Sequence, residues 1–174
     1  MLNVQSQRIA TERLPLQIKL MPHQRAMVYE MLMIENRDAA YAMMSDKPGA
    51  GKTYAVLALI YFLNKVMFPA KKHVNMIVVP YNICTQWKHS MEKIYGPSGL
   101  MIKYKTLTEY SEMMSLYIDP SVLMEYDILL TTSLYFDNLA KTLASLRLRL
   151  RRVFFDEADT IKSLLMTFIL LLPY

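Results

Sequence analysis

Cysteine is almost missing: the 174 residues hold one, Cys84. A single thiol excludes a disulfide framework and any Cys-rich zinc site built within the chain. Histidine is scarce too, and His23, His73 and His89 do not have the spacing of metal ligands. Only four glycines occur, which removes collagen-like repeats, and an apolar fraction of 53% removes intrinsic disorder. The opening MLNVQSQRIA has no apolar signal-peptide core. The longest apolar stretches are about half as long as a bilayer span requires. These absences lead to the expectation of an intracellular chain with no membrane partner. Charge is nearly balanced, with 20 Lys+Arg against 15 Asp+Glu and a net +5. That suits a polyanionic partner without singling one out. The fifteen methionines read as drift in base composition rather than as a Met-based recognition surface.

What is present is an alternation of helix-like and strand-like segments, the pattern of βαβ units and a parallel sheet. One domain is the default at this length. Pro22 opens a helix expected to reach about Arg37, because the missing proline N–H costs nothing in a first turn. AAYAMM at 39–44 reads as a buried strand feeding the tight loop SDKPGAGKT at 45–53. TYAVLALIYFLNKVMF at 53–68 is apolar nearly all round, as a helix packed on a sheet would be. VNMIVVP at 74–80 is the clearest strand, and DILLTT at 127–132 and RVFFD at 152–156 are two more. Between them, 82–95 reads as an amphipathic helix, 101–106 as a strand and 108–118 as a helix stopped by Asp119-Pro120. The expected fold class is α/β, a mainly parallel sheet flanked by helices.

Chemistry concentrates at two places. In Pro48-Gly49-Ala50-Gly51-Lys52-Thr53, glycines let the backbone curl so that successive N–H groups face one concavity suited to phosphates. The helix starting there adds its positive end. Lys52 would reach the β- and γ-phosphates of a nucleotide, and the Thr53 hydroxyl would ligate Mg²⁺. Asp46 stands where the full phosphate-loop template has its first glycine. The second place is Phe154-Phe155-Asp156-Glu157-Ala158-Asp159, where an apolar strand ends in adjacent carboxylates at the carboxyl edge of a sheet. Asp156 would hold the Mg²⁺ shell, and Glu157 would orient and deprotonate an attacking water.

Together, DKPGAGKT and FFDEAD resemble motifs I and II of superfamily-two helicases and translocases. Three further segments are similar to the Swi/Snf-like branch of that superfamily. LMPHQRAMVYEML (20–32) matches its opening segment, which implies that Gln24 reads the adenine edge. VVPYNICTQWKHSMEKIYG (78–96) resembles motif Ia. DILLTTSLYF (127–136) resembles motif Ib, which implies that Thr131 and Thr132 lie near a nucleic-acid backbone. The resemblance covers residues 20–162. It implies a RecA-like P-loop domain, a three-layer αβα structure, over 20–174, with 1–19 as an N-terminal extension. Lys47 replaces the usual acidic residue before the loop, and DEAD replaces the commoner DEAH or DEGH. No motif III is found in SLLMTFILLLPY, and a second RecA-like lobe is expected in cis or in trans.

The resemblance implies ATP as substrate, Mg²⁺ as cofactor and nucleic acid, with double-stranded DNA favoured, as partner. Large DNA viruses encode similar proteins. The expected setting is therefore viral or nuclear transcription or DNA metabolism, in the nucleus or cytoplasm of a host or packaged in a virion, with RNA polymerase a candidate partner. A competing reading is a nucleotide-switched subunit for transcription initiation, or a non-catalytic interaction module. An unrelated P-loop GTPase is disfavoured, because Asn64-Lys65-Val66-Met67 fails the guanine-reading N-K-x-D pattern at its last position. Among smaller features, RLRLRR (147–152) reads as a solvated face, Trp87 as a packing residue on its helix, and Cys84 as no nucleophile.

Overall fold

The computed structural model of the chain describes residues 7–10, 14–37, 42–44, 49–70, 73–96, 102–118, 120–145, 147 and 150–157. The chain divides into two compact units, Met1–Pro69 with His89–Gly96, and Ala70–Lys88 with Pro97–Tyr174.

The first unit is helical. Helix α1 spans Pro22–Glu35 and helix α2 spans Lys52–Tyr61, and the two pack against each other. Ala26, Val28 and Leu32 are buried from α1, and every residue of α2 from Ala55 to Tyr61 is buried. The apolar run expected to be one helix over 53–68 changes form part-way. Phe62–Met67 is a π-helical turn, closed where the Phe68 N–H donates to the Leu63 carbonyl at 3.0 Å. Before that turn, the Tyr95 hydroxyl donates to the Leu57 carbonyl at 2.7 Å. The Tyr95 ring lies 6.4 Å from that of Tyr61. The strand expected at 39–44 is not found where it is described: residues 42–44 carry no strand. Met43 there is 87% exposed, so this segment has no buried face to pair. Residues 39–41 lie outside the described part of the chain.

The second unit is built on a parallel sheet. Strands β1 (Asn75–Val79), β2 (Tyr104–Leu107), β3 (Ile128–Thr132) and β4 (Arg152–Phe155) lie in the order β2-β3-β1-β4. Every pairing is parallel, with Ile77 opposite Leu130 on one side and Phe154 on the other. β1 and β3 are buried along their whole length, which is why they read as unbroken apolar runs rather than as alternations. Asn75 tolerates full burial because its amide donates to the Asp127 carbonyl (3.1 Å) and accepts from Arg152 Nη1 (3.1 Å). Arg152 is therefore a structural partner at a strand start rather than part of a solvated face.

Helix α3 spans Cys84–Tyr95, helix α4 Tyr110–Ile118 and helix α5 Ser133–Ser145. α4 packs on β2, and α5 on β1 and β3. Met76, Val78, Leu129, Phe136, Leu139 and Leu143 form the centre of one core. Within it the Phe136 and Phe155 rings meet edge to face at 5.3 Å and 75°, a favoured aromatic geometry. The start of α4 is held by Glu112, whose carboxylate accepts the N–H groups of Thr108 (2.7 Å) and Glu109 (3.1 Å) and the Thr106 hydroxyl (3.2 Å). This supplies partners to backbone donors that a helix start would otherwise leave orphaned.

Candidate functional site

The first unit carries the phosphate-loop motif. Gly49 and Gly51 have φ of +80° and +73°, a region that glycine enters without a Cβ penalty. Gly51 is the N-cap of α2, and no side chain caps the helix there. Lys52 and Thr53 thus take the first two helical positions, both half-buried, where the positive end of the helix dipole favours an anion. Ala50 lies between the two glycines, and Pro48 falls outside the described residues. Two side chains of α1 grip this loop. His23 Nε2 donates to the Ala50 carbonyl at 2.9 Å; a carbonyl only accepts, so Nε2 carries the proton. Gln24 is 7% exposed, with both ends of its amide in use. Its Oε1 accepts the Met21 N–H at 2.8 Å, and its Nε2 donates to the Gly51 carbonyl at 3.4 Å. A Cβ added at Gly51 would overlap that amide nitrogen, whereas one at Gly49 would meet nothing.

The second unit carries the acidic motif at the carboxyl end of β4. The Asp156 N–H donates to the Val78 carbonyl at 3.0 Å, which extends the ladder one residue and fixes where its side chain starts. Asp156 Oδ2 accepts a hydrogen bond from the Trp87 indole at 2.8 Å. Trp87 sits in the first turn of α3 and is 4% exposed. Glu157 follows with φ of +50°, a left-handed conformation that is uncommon for a residue with a Cβ. Such strain costs on the order of 1–3 kcal/mol and collects at functional sites.

A family model, the SNF2-related domain, matches residues 23–168. The chain belongs to the SNF2-related domain family. Among solved structures, the chain is similar to the Sulfolobus solfataricus SWI2/SNF2 ATPase core in complex with dsDNA. The TM-score is 0.59 and the identity 18%, over 85% of this chain and 28% of that one. The parallel sheet with flanking helices is thus similar to the RecA-like arrangement of that core. The chain spans little more than a quarter of the length of that relative. No protein of curated function matches it.

In SNF2-related terms, the expected site residues are distributed as follows. Gly49, Ala50, Gly51, Lys52 and Thr53 form the loop and helix start of the first unit, with Gln24 against them. Gln24 engages the loop through one of the two N–H donors of its amide. Asp156 and Glu157 end β4 in the second unit. Thr131 and Thr132 are both fully buried. The Thr131 hydroxyl donates to the Leu107 carbonyl at 2.9 Å, and the Thr132 hydroxyl has no partner among the described residues. Neither side chain is on a surface that a nucleic acid reaches; the exposed residues next to them are Ser133 and Leu134.

Two features escaped the sequence reading. One is helix α5, whose signal was available in Phe136, Leu139, Ala140 and Leu143 at helical spacing. The other is Trp87, which does more than pack; a partner 69 positions away leaves no local signal. Cys84 is buried, and burial pushes its thiol up, with Lys88 pulling it down less and Glu112 adding to the rise. That shift favours the thiol over the thiolate that a nucleophile needs. Among the described residues no three His, Cys, Asp or Glu gather as a metal cluster. Thr53 in the first unit and Asp156 in the second each carry an oxygen of the kind Mg²⁺ takes. No helix among the described residues is long and apolar enough to cross a membrane.

Proposed function

We propose that the chain is the ATP-binding lobe of a nucleic-acid-dependent ATPase, a helicase or double-stranded DNA translocase. The observation that carries this is the loop: two glycines at positive φ open a buried helix at Lys52-Thr53, inside a chain of the SNF2-related family. Lys52 and the first-turn amides of α2 bind the β- and γ-phosphates by charge and hydrogen bonds. By the motif resemblance Thr53 and Asp156 are the residues that would hold Mg²⁺, whose charge would offset that developing on those phosphates. Glu157 accepts the proton of the attacking water, and its strained backbone fits a side chain held for a task rather than for stability. Gln24 contributes by holding the loop in shape.

The double-stranded DNA partner is supported by the similar Sulfolobus solfataricus structure, which is a complex with dsDNA. A second RecA-like lobe, in cis or in trans, completes the reading, and its setting is viral or nuclear transcription or DNA metabolism, with RNA polymerase a candidate partner. The support for that setting is the motif resemblance.

The deciding experiment is calorimetry of Mg²⁺-ATP binding to the 174-residue chain beside its Lys52→Ala variant. Binding by the first and none by the second supports the nucleotide site. Two folded proteins that both fail to bind would replace this reading with a non-catalytic interaction domain.

A further inference from the structure

We propose that Trp87 is a positioning residue for the metal–nucleotide complex, acting through Asp156. This rests on the reading of Asp156 as a Mg²⁺ ligand. The indole N–H can only donate, and it donates to one carboxylate oxygen, Oδ2, at 2.8 Å. Oδ1 has no hydrogen bond among the described residues. The carboxylate is thus held by one oxygen and offers the other.

The choice of donor matters. An Arg or Lys in the same place would fix the carboxylate equally well but would place a positive charge beside the metal. The indole is neutral, so it orients Asp156 without repelling a cation. Its own orientation is rigid. Trp87 is 4% exposed, has two side-chain torsions, and stands in the first turn of α3, directly after the 3-10 turn Tyr81–Ile83 that leaves β1. The Asp156 backbone is fixed independently by its bond to Val78 on the same β1. One strand therefore sets both partners. Hydrogen-bonded partners behind a metal ligand commonly account for 10–100-fold in metal affinity.

The test uses the full 174-residue chain, in which Trp87 is the only tryptophan. Its emission therefore reports on the surroundings of this one indole, Asp156 among them. Mg²⁺ and Mn²⁺ are titrated in the presence of ADP, with tryptophan fluorescence on the wild type and calorimetry on wild type, Trp87→Phe and Asp156→Asn. Phe keeps the apolar bulk and removes the donor, and the thermal transition of each variant checks folding. If the proposal holds, metal shifts the Trp87 emission of the wild type. Trp87→Phe then needs about ten-fold more metal for half-saturation, with metal-free ADP affinity unchanged. Equal metal affinities for Trp87→Phe and wild type, with Asp156→Asn weakened, would overturn the role of Trp87 and leave Asp156 as the ligand. Asp156→Asn binding metal as the wild type does would overturn both. A Trp87→Phe chain that loses metal-free ADP affinity or its folding transition to the same degree marks Trp87 as structural only, and also overturns the proposal.

Discussion

Gln24 and Gly51 are shaped to each other: the Gln24 amide lies where a side chain at position 51 would begin, and it donates to the Gly51 carbonyl. The same carbonyl accepts the N–H groups of Tyr54 and Ala55, at 3.1 and 3.3 Å, that start helix α2. The phosphate loop is thereby fastened to α1 at its last residue before Lys52.

The two loop glycines are expected to respond differently to alanine. Gly49→Ala meets open space and only the positive φ, a cost of about 1–2 kcal/mol. Gly51→Ala carries the same backbone cost and also displaces Gln24, so it should cost more. In a Gln24→Ala background the excess should vanish. Urea unfolding of the four single and double variants measures this coupling, and an excess that persists without Gln24 would show that the fit is not responsible.

Hydrolysis by the 174-residue chain alone is expected to be close to background. In related phosphoryl-transfer sites an arginine finger contributes about 10³–10⁵ in rate, and in this superfamily the second lobe supplies it. Phosphate release from Mg²⁺-ATP, with and without duplex DNA, tests the point. Brisk turnover would mean that the chain is catalytically complete.

Tyr95→Phe should destabilise the first unit by about 1 kcal/mol. It leaves the ring contact with Tyr61 intact and removes only the hydroxyl that pairs with the Leu57 carbonyl. Thermal unfolding of the variant reads this loss. An unchanged transition would show that water replaces the hydroxyl without cost.

Cys84 gives a pH dependence of defined sign. Burial raises its folded pKa, so the folded chain keeps a proton that the unfolded chain releases near pH 8.5. The associated stability is present below that pH and is lost as pH rises through the higher folded value. Tyr61 shifts in the same direction, but from about 10, which leaves the interval just above 8.5 to Cys84. The unfolding midpoint should fall there for wild type and stay flatter for Cys84→Ala. Alkylation of the native thiol at pH 8.5 should be slow until urea is added.

The elements most visible in the sequence were those whose burial is continuous. β1 and β3 were expected at 74–80 and 127–132 and lie at 75–79 and 128–132, because fully buried parallel strands must be apolar residue after residue; half-buried β4, expected at 152–156, lies at 152–155. β2 was expected at 101–106 and runs from Tyr104 to Leu107; its half-buried residues gave a weaker boundary. The break from α-helix to π-helix after Tyr61 was invisible, since the apolar composition suits both. At the site, the loop was legible because positive φ demands glycine. What Gln24 touches depends on the packing of α1 against α2, and the burial of Thr131 and Thr132 and the pairing of Trp87 with Asp156 depend on partners brought together by the sheet rather than by neighbours in the chain.

The strand order also dictates a timetable for synthesis. β1 is finished once residue 79 has been added, yet its two neighbours are residues 128–132 and 152–155. At about 5–20 residues per second, the apolar stretch Asn75–Val79 leaves the ribosome seconds before either flank exists to cover it. Bare strand edges of that composition recruit other chains. A polypeptide interrupted anywhere ahead of Arg152 would therefore be born sticky, and slower elongation would lengthen the interval in which a chaperone has to shield it.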